Sequence, residues 1–157
     1  MTIISKLLND KVNHCNIAYS IEGAKKISDN GNIPILICSE ILKENRPFEK
    51  SWDVSSDSIS AYIAYLLNAK LLIVTNVNGI YTRKPKTKGS KFIEKIDAKK
   101  LLTFDETSID LMLPSLLIKF GADCFIVNGK YPERVYFIVN NKNPKDYNFK
   151  YTYIKGV

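Results

Sequence analysis

The sequence predicts an α/β fold with a largely parallel sheet, and three observations carry that expectation. Short, unbroken apolar runs recur at residues 33–38, 71–74 and 124–127, the composition of strands covered on both faces. Between them lie stretches with helical spacing. Ile59, Tyr62, Ile63, Leu66 and Leu67 fall at i, i+3, i+4, i+7 and i+8, which is one face of a helix. Turn signals close two of the runs, Asn78-Gly79 and Asn128-Gly129,. Strands alternating with helices build parallel sheets through crossover connections.

In chain order, residues 15–30 predict a helix, with apolar positions at Ile17, Ala18, Ile21, Ala24 and Ile27 and a stop at Gly31,. Residues 33–38 predict a buried strand whose Pro34 stands near its start, where a strand tolerates proline. Residues 39–50 read as a polar connection containing Arg46-Pro47. Ser55, Ser56 and Asp57 then introduce the helix just described, and 71–74 follow as a strand. Residues 82–91 read as a polar loop. Phe92, Ile93 and Ile96 predict a short strand, and 98–102 one helical turn.

A second amphipathic helix is expected over 107–120, with the stripe Ile109, Met112, Leu113, Leu116, Leu117 and Phe120, ended by Gly121. Pro114 inside that pattern removes a backbone hydrogen bond and predicts a kink. Residues 124–127 read as a strand, 132–139 as a short helix with Pro132 in its first turn, and 151–154 as a last strand,. No internal repeat or linker interrupts the pattern, so a single domain over 1–157 is expected.

Composition narrows the function. A hydrophobic content of 45% is sufficient for a core,. No stretch approaches the roughly 20 apolar residues of a membrane span, and the N-terminus shows no signal-peptide pattern. Three dispersed cysteines, Cys15, Cys38 and Cys124, fit a reducing cytoplasm,. Cys38 and Cys124 lie in apolar runs as small hydrophobes. A single histidine and no close cysteine pair argue against a zinc site,. The net charge of +7, concentrated between Arg83 and Lys100, favours anionic partners,. A solvated lysine-rich face explains the same run equally well. Nucleic acid is the least favoured partner, because the stretch lacks interleaved aromatics and any nucleic-acid motif.

The run D-S-I-S-A-Y-I-A followed by L-L-I-V-T-N-V-N-G-I-Y resembles the amino acid kinase superfamily. That superfamily includes aspartate, acetylglutamate, uridylate and isopentenyl phosphate kinases. The segments T-S-I-D-L-M-L-P-S-L-L and V-N-G-K-Y-P-E-R-V are similar to its archaeal branch containing the aminomethyl-furanmethanol phosphate kinase. The resemblance implies a three-layer α/β/α sandwich with a mainly parallel sheet, of which this chain carries the C-terminal two thirds. It also implies ATP-dependent phosphorylation of a small-molecule acceptor, with Mg2+ as companion ion.

Carried over residue by residue, the resemblance implies a catalytic role for Asp57 and nucleotide contacts from Thr75, Asn76, Asn78, Gly79, Tyr81 and Lys84. Lys86 and Lys88 are further candidate phosphate contacts. Ser56, Asn128 and Gly129 fall on the acceptor side, and Asp110 matches an acidic position. No protein metal ligand is implied. From the residues alone, Ser55, Ser56 or Asp57 can simply cap a helix, Asp110 can be a solvent-facing residue, and the TNVNG stretch can be a polar turn that binds nothing. Asn76 and Asn78 depart from the family pattern, which has acidic residues there. Asparagine keeps the hydrogen-bonding shape without the charge.

The seven glycines are dispersed, so the chain offers no glycine-rich loop to set backbone N–H groups against phosphates,. Kinases of this superfamily have such loops in their N-terminal part, so the sequence leads to the expectation of a truncated fold. Two readings follow. One is a kinase that needs a second chain to supply the glycine-rich half. The other is a non-catalytic nucleotide-binding or regulatory subunit. Both predict an oligomer, with itself or with that chain, because apolar surface left uncovered by truncation is buried in an interface.

Overall fold

The computed structural model describes residues 2–45, 47–48, 54–104, 107–140 and 149–156. The chain divides into two compact units, Met1–Ser51 and Trp52–Val157.

The first unit opens with helix α1 (Thr2–Lys11), which leaves Ile3, Ile4, Leu7 and Leu8 exposed. Strand β1 (Cys15–Ala18) and helix α2 (Ile21–Asp29) replace the single helix expected over 15–30. The reason is local. Ser20, in extended backbone, accepts the Gly23 N–H at Oγ (3.0 Å) and starts the helix only at Ile21,. Cys15–Ala18 pair in parallel with β2 (Ile33–Leu36), Cys15 opposite Ile33 and Ala18 opposite Leu36. Strand β2 stops short of the expected 33–38. Cys38 instead begins α3 (Cys38–Asn45), a helix where a polar connection was expected. Its one fully buried residue, Ile41, gives too faint a periodicity to read from sequence. Arg46 and the stretch at 49–53 with Trp52 lie outside the described residues.

In the second unit, α4 (Ser56–Leu67) starts at Ser55, whose Oγ accepts the Asp57 N–H at 3.3 Å. It ends at Asn68 in left-handed backbone, φ 52°, a conformation asparagine adopts more readily than most residues. Its buried positions are Ser58, Ala61, Ile63 and Ala64. The small residues among them let the helix close on the sheet.

The remaining elements are β3 (Leu71–Thr75), β4 (Ile80–Tyr81), β5 (Phe92–Ile93), β6 (Lys95–Asp97), α5 (Ala98–Leu101), α6 (Leu113–Phe120), β7 (Cys124–Asn128), α7 (Pro132–Val139) and β8 (Tyr151–Lys155). The sheet order is β3-β7-β8-β6. The β3/β7 and β8/β6 pairs are parallel and β7/β8 is antiparallel. The short strand expected from Phe92, Ile93 and Ile96 splits in two, β5 pairing with β4 in a separate hairpin and β6 joining the main sheet.

The helix expected over 107–120 begins only at Leu113, which puts Pro114 in its first turn. A missing N–H costs nothing there, so no kink is needed. The core is Ile80, Leu113, Leu117, Cys124, Ile126, Val127 and Ile154, each fully buried. Burial of this kind is worth roughly 1.5–3 kcal/mol per large side chain. It also pushes the Cys124 thiol far above its usual range, so this cysteine is a packing residue. Strand β3 is not covered throughout, since Val74 is 53% exposed. No helix among the described residues is long and apolar enough to cross a membrane.

Candidate functional site

Strands β3 and β7 run parallel with Thr75 opposite Asn128. The two polar turns that follow them therefore emerge side by side at the carboxyl end of the sheet, where open α/β folds carry ligands. The Gly129 N–H donates to the Thr75 carbonyl at 2.9 Å. Asn128, nearly buried, donates through Nδ2 to the Asn76 carbonyl (3.4 Å) and to Asn78 Oδ1 (3.3 Å). Its Oδ1 accepts the Lys130 N–H (3.0 Å). Asn78 Oδ1 also accepts from Arg134 Nη1 at 2.8 Å.

The other end of the turn is held as firmly. Gly79 has φ 142°, and its carbonyl accepts from Ser108 Oγ at 3.3 Å. The next N–H, of Ile80, donates to Thr152 Oγ1 (2.8 Å), which in turn donates to the Ile93 carbonyl (2.6 Å).

In front of this turn lies a pocket of about 260 Å³. Thr75, Asn76, Val77, Gly79, Tyr81 and Pro85 line it, Arg83 and Lys84 bring two cations, and Thr107 and Ser108 close one side. Five of the six residues expected to contact nucleotide thus converge on one cavity. The sixth, Asn78, turns its side chain to Asn128 and Arg134 instead. Lys86 and Lys88 are exposed on the loop and do not line the pocket. Arg83, Thr107 and Ser108 were not singled out from sequence. Arg83 adjoins Lys84 in a visible basic run, and the two hydroxyls open the T-S-I-D segment of the family resemblance, which by itself assigns them no contact.

A second cluster stands at the start of α4. Asp110 Oδ2 accepts the Ser55 N–H (3.0 Å), Ser55 Oγ (2.7 Å) and the Ser58 N–H (3.0 Å). Its Oδ1 accepts Ser58 Oγ (2.6 Å) and the Leu113 N–H (2.8 Å). Burial works to raise the Asp110 carboxyl, but the hydrogen bonds from Ser58 and Ser55 outweigh it and hold the group below the usual carboxylate range,. The Asp110 N–H donates to Asp57 Oδ2 at 3.3 Å. Asp57 moves the other way. Burial raises it, the Asp110 N–H partly offsets this, and the Asp110 charge adds to the rise. Two neighbouring carboxyls whose affinities for a proton are pushed apart are a common arrangement at reactive sites. Asp57 and Ser56 do not line the pocket. Ser56 is exposed at the first position of α4, and the link from this cluster to the pocket runs through Ser108, two residues before Asp110.

The model of the amino acid kinase family matches residues 4–128. The chain belongs to the amino acid kinase family. A 5-(aminomethyl)furan-3-ylmethyl phosphate kinase of Methanocaldococcus jannaschii is 38% identical over 120 residues, covering 76% of this chain and 53% of that protein. A uridylate kinase of Pyrococcus abyssi is 32% identical over 100 residues, covering 57% of this chain and 44% of its own length. The chain thus spans about half the length of these amino acid kinase relatives. The UMP kinase of Ureaplasma parvum superposes with a TM-score of 0.73 over 98% of this chain and 66% of that one, at 20% identity. The uridylate kinase of Archaeoglobus fulgidus gives 0.69 over 97% and 66%, at 16% identity. At these identities the likeness is one of fold, the α/β fold of the amino acid kinases.

Proposed function

We propose that this chain is the nucleotide-facing part of an ATP-dependent phosphotransferase acting on a small alcohol, carboxylate or phosphate ester. The observation that carries the reading is the pocket at the carboxyl end of β3, where an apolar and aromatic wall meets two cations. Phosphoryl transfer is mainly positioning and charge neutralisation. Val77, Tyr81 and Pro85 suit the flat face of a base, and Arg83 and Lys84 suit the phosphates.

ATP supplies the transferred phosphoryl group. The chain's own residues bind it, orient it and offset its charge. Asp57, on the Asp110 amide, is the proposed catalytic positioning group, with Ser56, Asn128 and Gly129 toward the acceptor. The pocket lining contains no carboxylate, and among the described residues no group of three His, Cys, Asp or Glu side chains converges. Mg2+ in this reading would be held chiefly by the nucleotide phosphates and water, as is usual for that ion.

A second chain supplying a glycine-rich phosphate cradle belongs to this reading. The exposed Ile3, Ile4, Leu7 and Leu8 of α1 support it, since contiguous apolar surface is normally covered,. One observation favours the alternative of a non-catalytic nucleotide-binding subunit. Asn76 and Asn78 bring no charge to the turn, and Asn78 is tied into the protein by Arg134.

Thermal denaturation with ATP and with ADP tests the pocket. A ligand at 100 times its Kd adds about 2.7 kcal/mol, or several degrees in Tm. An unchanged Tm with both nucleotides overturns the binding reading. Phosphoryl transfer by the protein with whatever accompanies it in native mass spectrometry separates the kinase from the non-catalytic subunit.

A further inference from the structure

We propose that Arg134 is the positioning residue of the nucleotide pocket, acting through Asn78 without touching the ligand. The inference rests on the nucleotide reading of that pocket. Residues 76, 77 and 79 line the cavity and residue 78 does not. The bend is therefore two-sided, its neighbours facing the ligand while the Asn78 side chain faces the protein behind.

One guanidinium ties down that rear face. Arg134 Nη1 donates to Asn78 Oδ1 at 2.8 Å and to the Lys150 carbonyl at 3.2 Å. The guanidinium also lies 3.9 Å from the Tyr131 ring centre, a stacking arrangement that fixes its plane. The Arg134 N–H donates to the Tyr131 carbonyl at 3.0 Å, which seats the residue in the first turn of α7. A single side chain thus joins the bend after β3, the start of α7 and the entry to β8.

Ser108 and Thr152 hold the Gly79 end of the bend, whereas the support of Asn78 other than Arg134 is weaker. The Asn128 amide reaches Asn78 at 3.3 Å and the Asn76 carbonyl at 3.4 Å, sharing one nitrogen between them. The bond from Arg134 is short and charge-assisted, the stronger class of hydrogen bond. It sets where Asn76, Val77 and Gly79 stand. A lysine keeps the charge but cannot stack on Tyr131 and present a planar fork together. An asparagine at 78 suffices as acceptor, and an aspartate would make the same link an ion pair.

The experiment is calorimetric titration with ADP on the full chain, alongside hydrogen exchange of residues 76–79 without nucleotide. Wild type, R134K, R134A, N78A and the double variants R134A/N78A and R134K/N78D are compared. R134K and R134A are expected to weaken ADP binding about tenfold or more, the loss of one charge-assisted hydrogen bond, and to speed exchange across 76–79. N78A should do the same, and the loss in R134A/N78A should fall short of the sum of the two single losses, because the variants share one link. R134K/N78D should recover part of the affinity, an outcome that a general loss of stability would not produce.

Native ADP affinity in R134A, or losses that add in the double variant, overturns the inference while the nucleotide reading stands. If wild type does not bind ADP, the nucleotide reading falls, and unchanged exchange in R134K removes the anchoring role as well. R134K keeps the experiment decisive should R134A fail to fold.

Discussion

Asp57 Oδ2 accepts the backbone N–H of Asp110 at 3.3 Å, and the two carboxyls so joined lie in opposite electrostatic situations. Asp110 has five donors on its own oxygens. Asp57 has the single long bond, partial burial and a negative neighbour.

The signs of the two shifts differ, so their variants should diverge. The folded-state pKa of Asp57 is raised. Its contribution to stability is therefore present at low pH and is lost as pH rises through that folded value, leaving the ionised group a cost at neutrality. Asp57→Asn should raise Tm at pH 7, and on the proposed kinase reading phosphoryl transfer should fall by roughly 10²–10⁴. Asp110 is lowered, so its contribution is present above the ordinary carboxylate range and is lost as pH falls through its folded value. Asp110→Asn should lose about 1–3 kcal/mol at pH 7, and the deficit should shrink in acid. Thermal scans of both variants from neutral to acidic pH check this. Parallel pH curves would refute the assignment.

Gly79 carries a backbone requirement as well as a place in the pocket. With φ at 142°, it sits where side chains are strained, and a Cβ there would collide with Thr152 Oγ1 and lie 3.0 Å from Thr152 N,. That hydroxyl joins the Ile80 N–H to the Ile93 carbonyl. Gly79→Ala should therefore destabilise the protein by about 3 kcal/mol and, on the proposed nucleotide reading, abolish any rise in Tm with ATP or ADP. Gly31→Ala is the control. It has φ 76° and nothing within 4 Å of a Cβ, so the backbone term of about 1–2 kcal/mol is all it should cost. Urea denaturation of the two variants measures the difference.

Tyr153 should make the alkaline limb of stability steeper. Its hydroxyl donates to the Asp123 carboxylate. That bond, helped by burial and the Asp123 charge, raises the phenol from 10.0 to about 12. A raised folded pKa means stability that is whole below the unfolded value and is lost as pH rises through the folded one. Wild type should weaken between those two values. Tyr153→Phe should start lower at neutral pH and fall less steeply over the same window. Chemical denaturation at intervals across it provides the measurement, and superimposable profiles would remove the role of the Asp123 bond.

The parts of this fold legible in sequence are those whose pattern is self-sufficient. Helix α4 follows a serine cap and a long apolar repeat, and α7 follows a proline in its first turn. The TNVNG turn announces itself through Asn-Gly. The expectations that failed lack such local sufficiency. Ile17 and Ala18 fit a helix and a strand equally well. Only the partner strand β2 decides between them, by pairing with Cys15–Ala18 ahead of the Ser20 cap. Ile109 continues the stripe of α6 and is buried like a helix residue. Yet the Asp110 carboxylate turns to Ser55, Ser58 and the Leu113 N–H, and α6 starts only after it.

What the sequence determined by itself was the alternation of elements, the family pattern and the chemistry on offer: a polar turn after an apolar strand, a basic run and an Asp-led helix. These are properties of neighbours along the chain, set by periodicity, capping and turn preference. What only the tertiary structure decided was which of these groups meet. Asn78 and Arg134 lie 56 residues apart, and Ser58 and Asp110 lie 52 apart. The parallel register that sets Thr75 beside Asn128 has no local signature. Such contacts depend on strand pairing and on the packing of buried faces, and those are fixed only when the whole sheet closes.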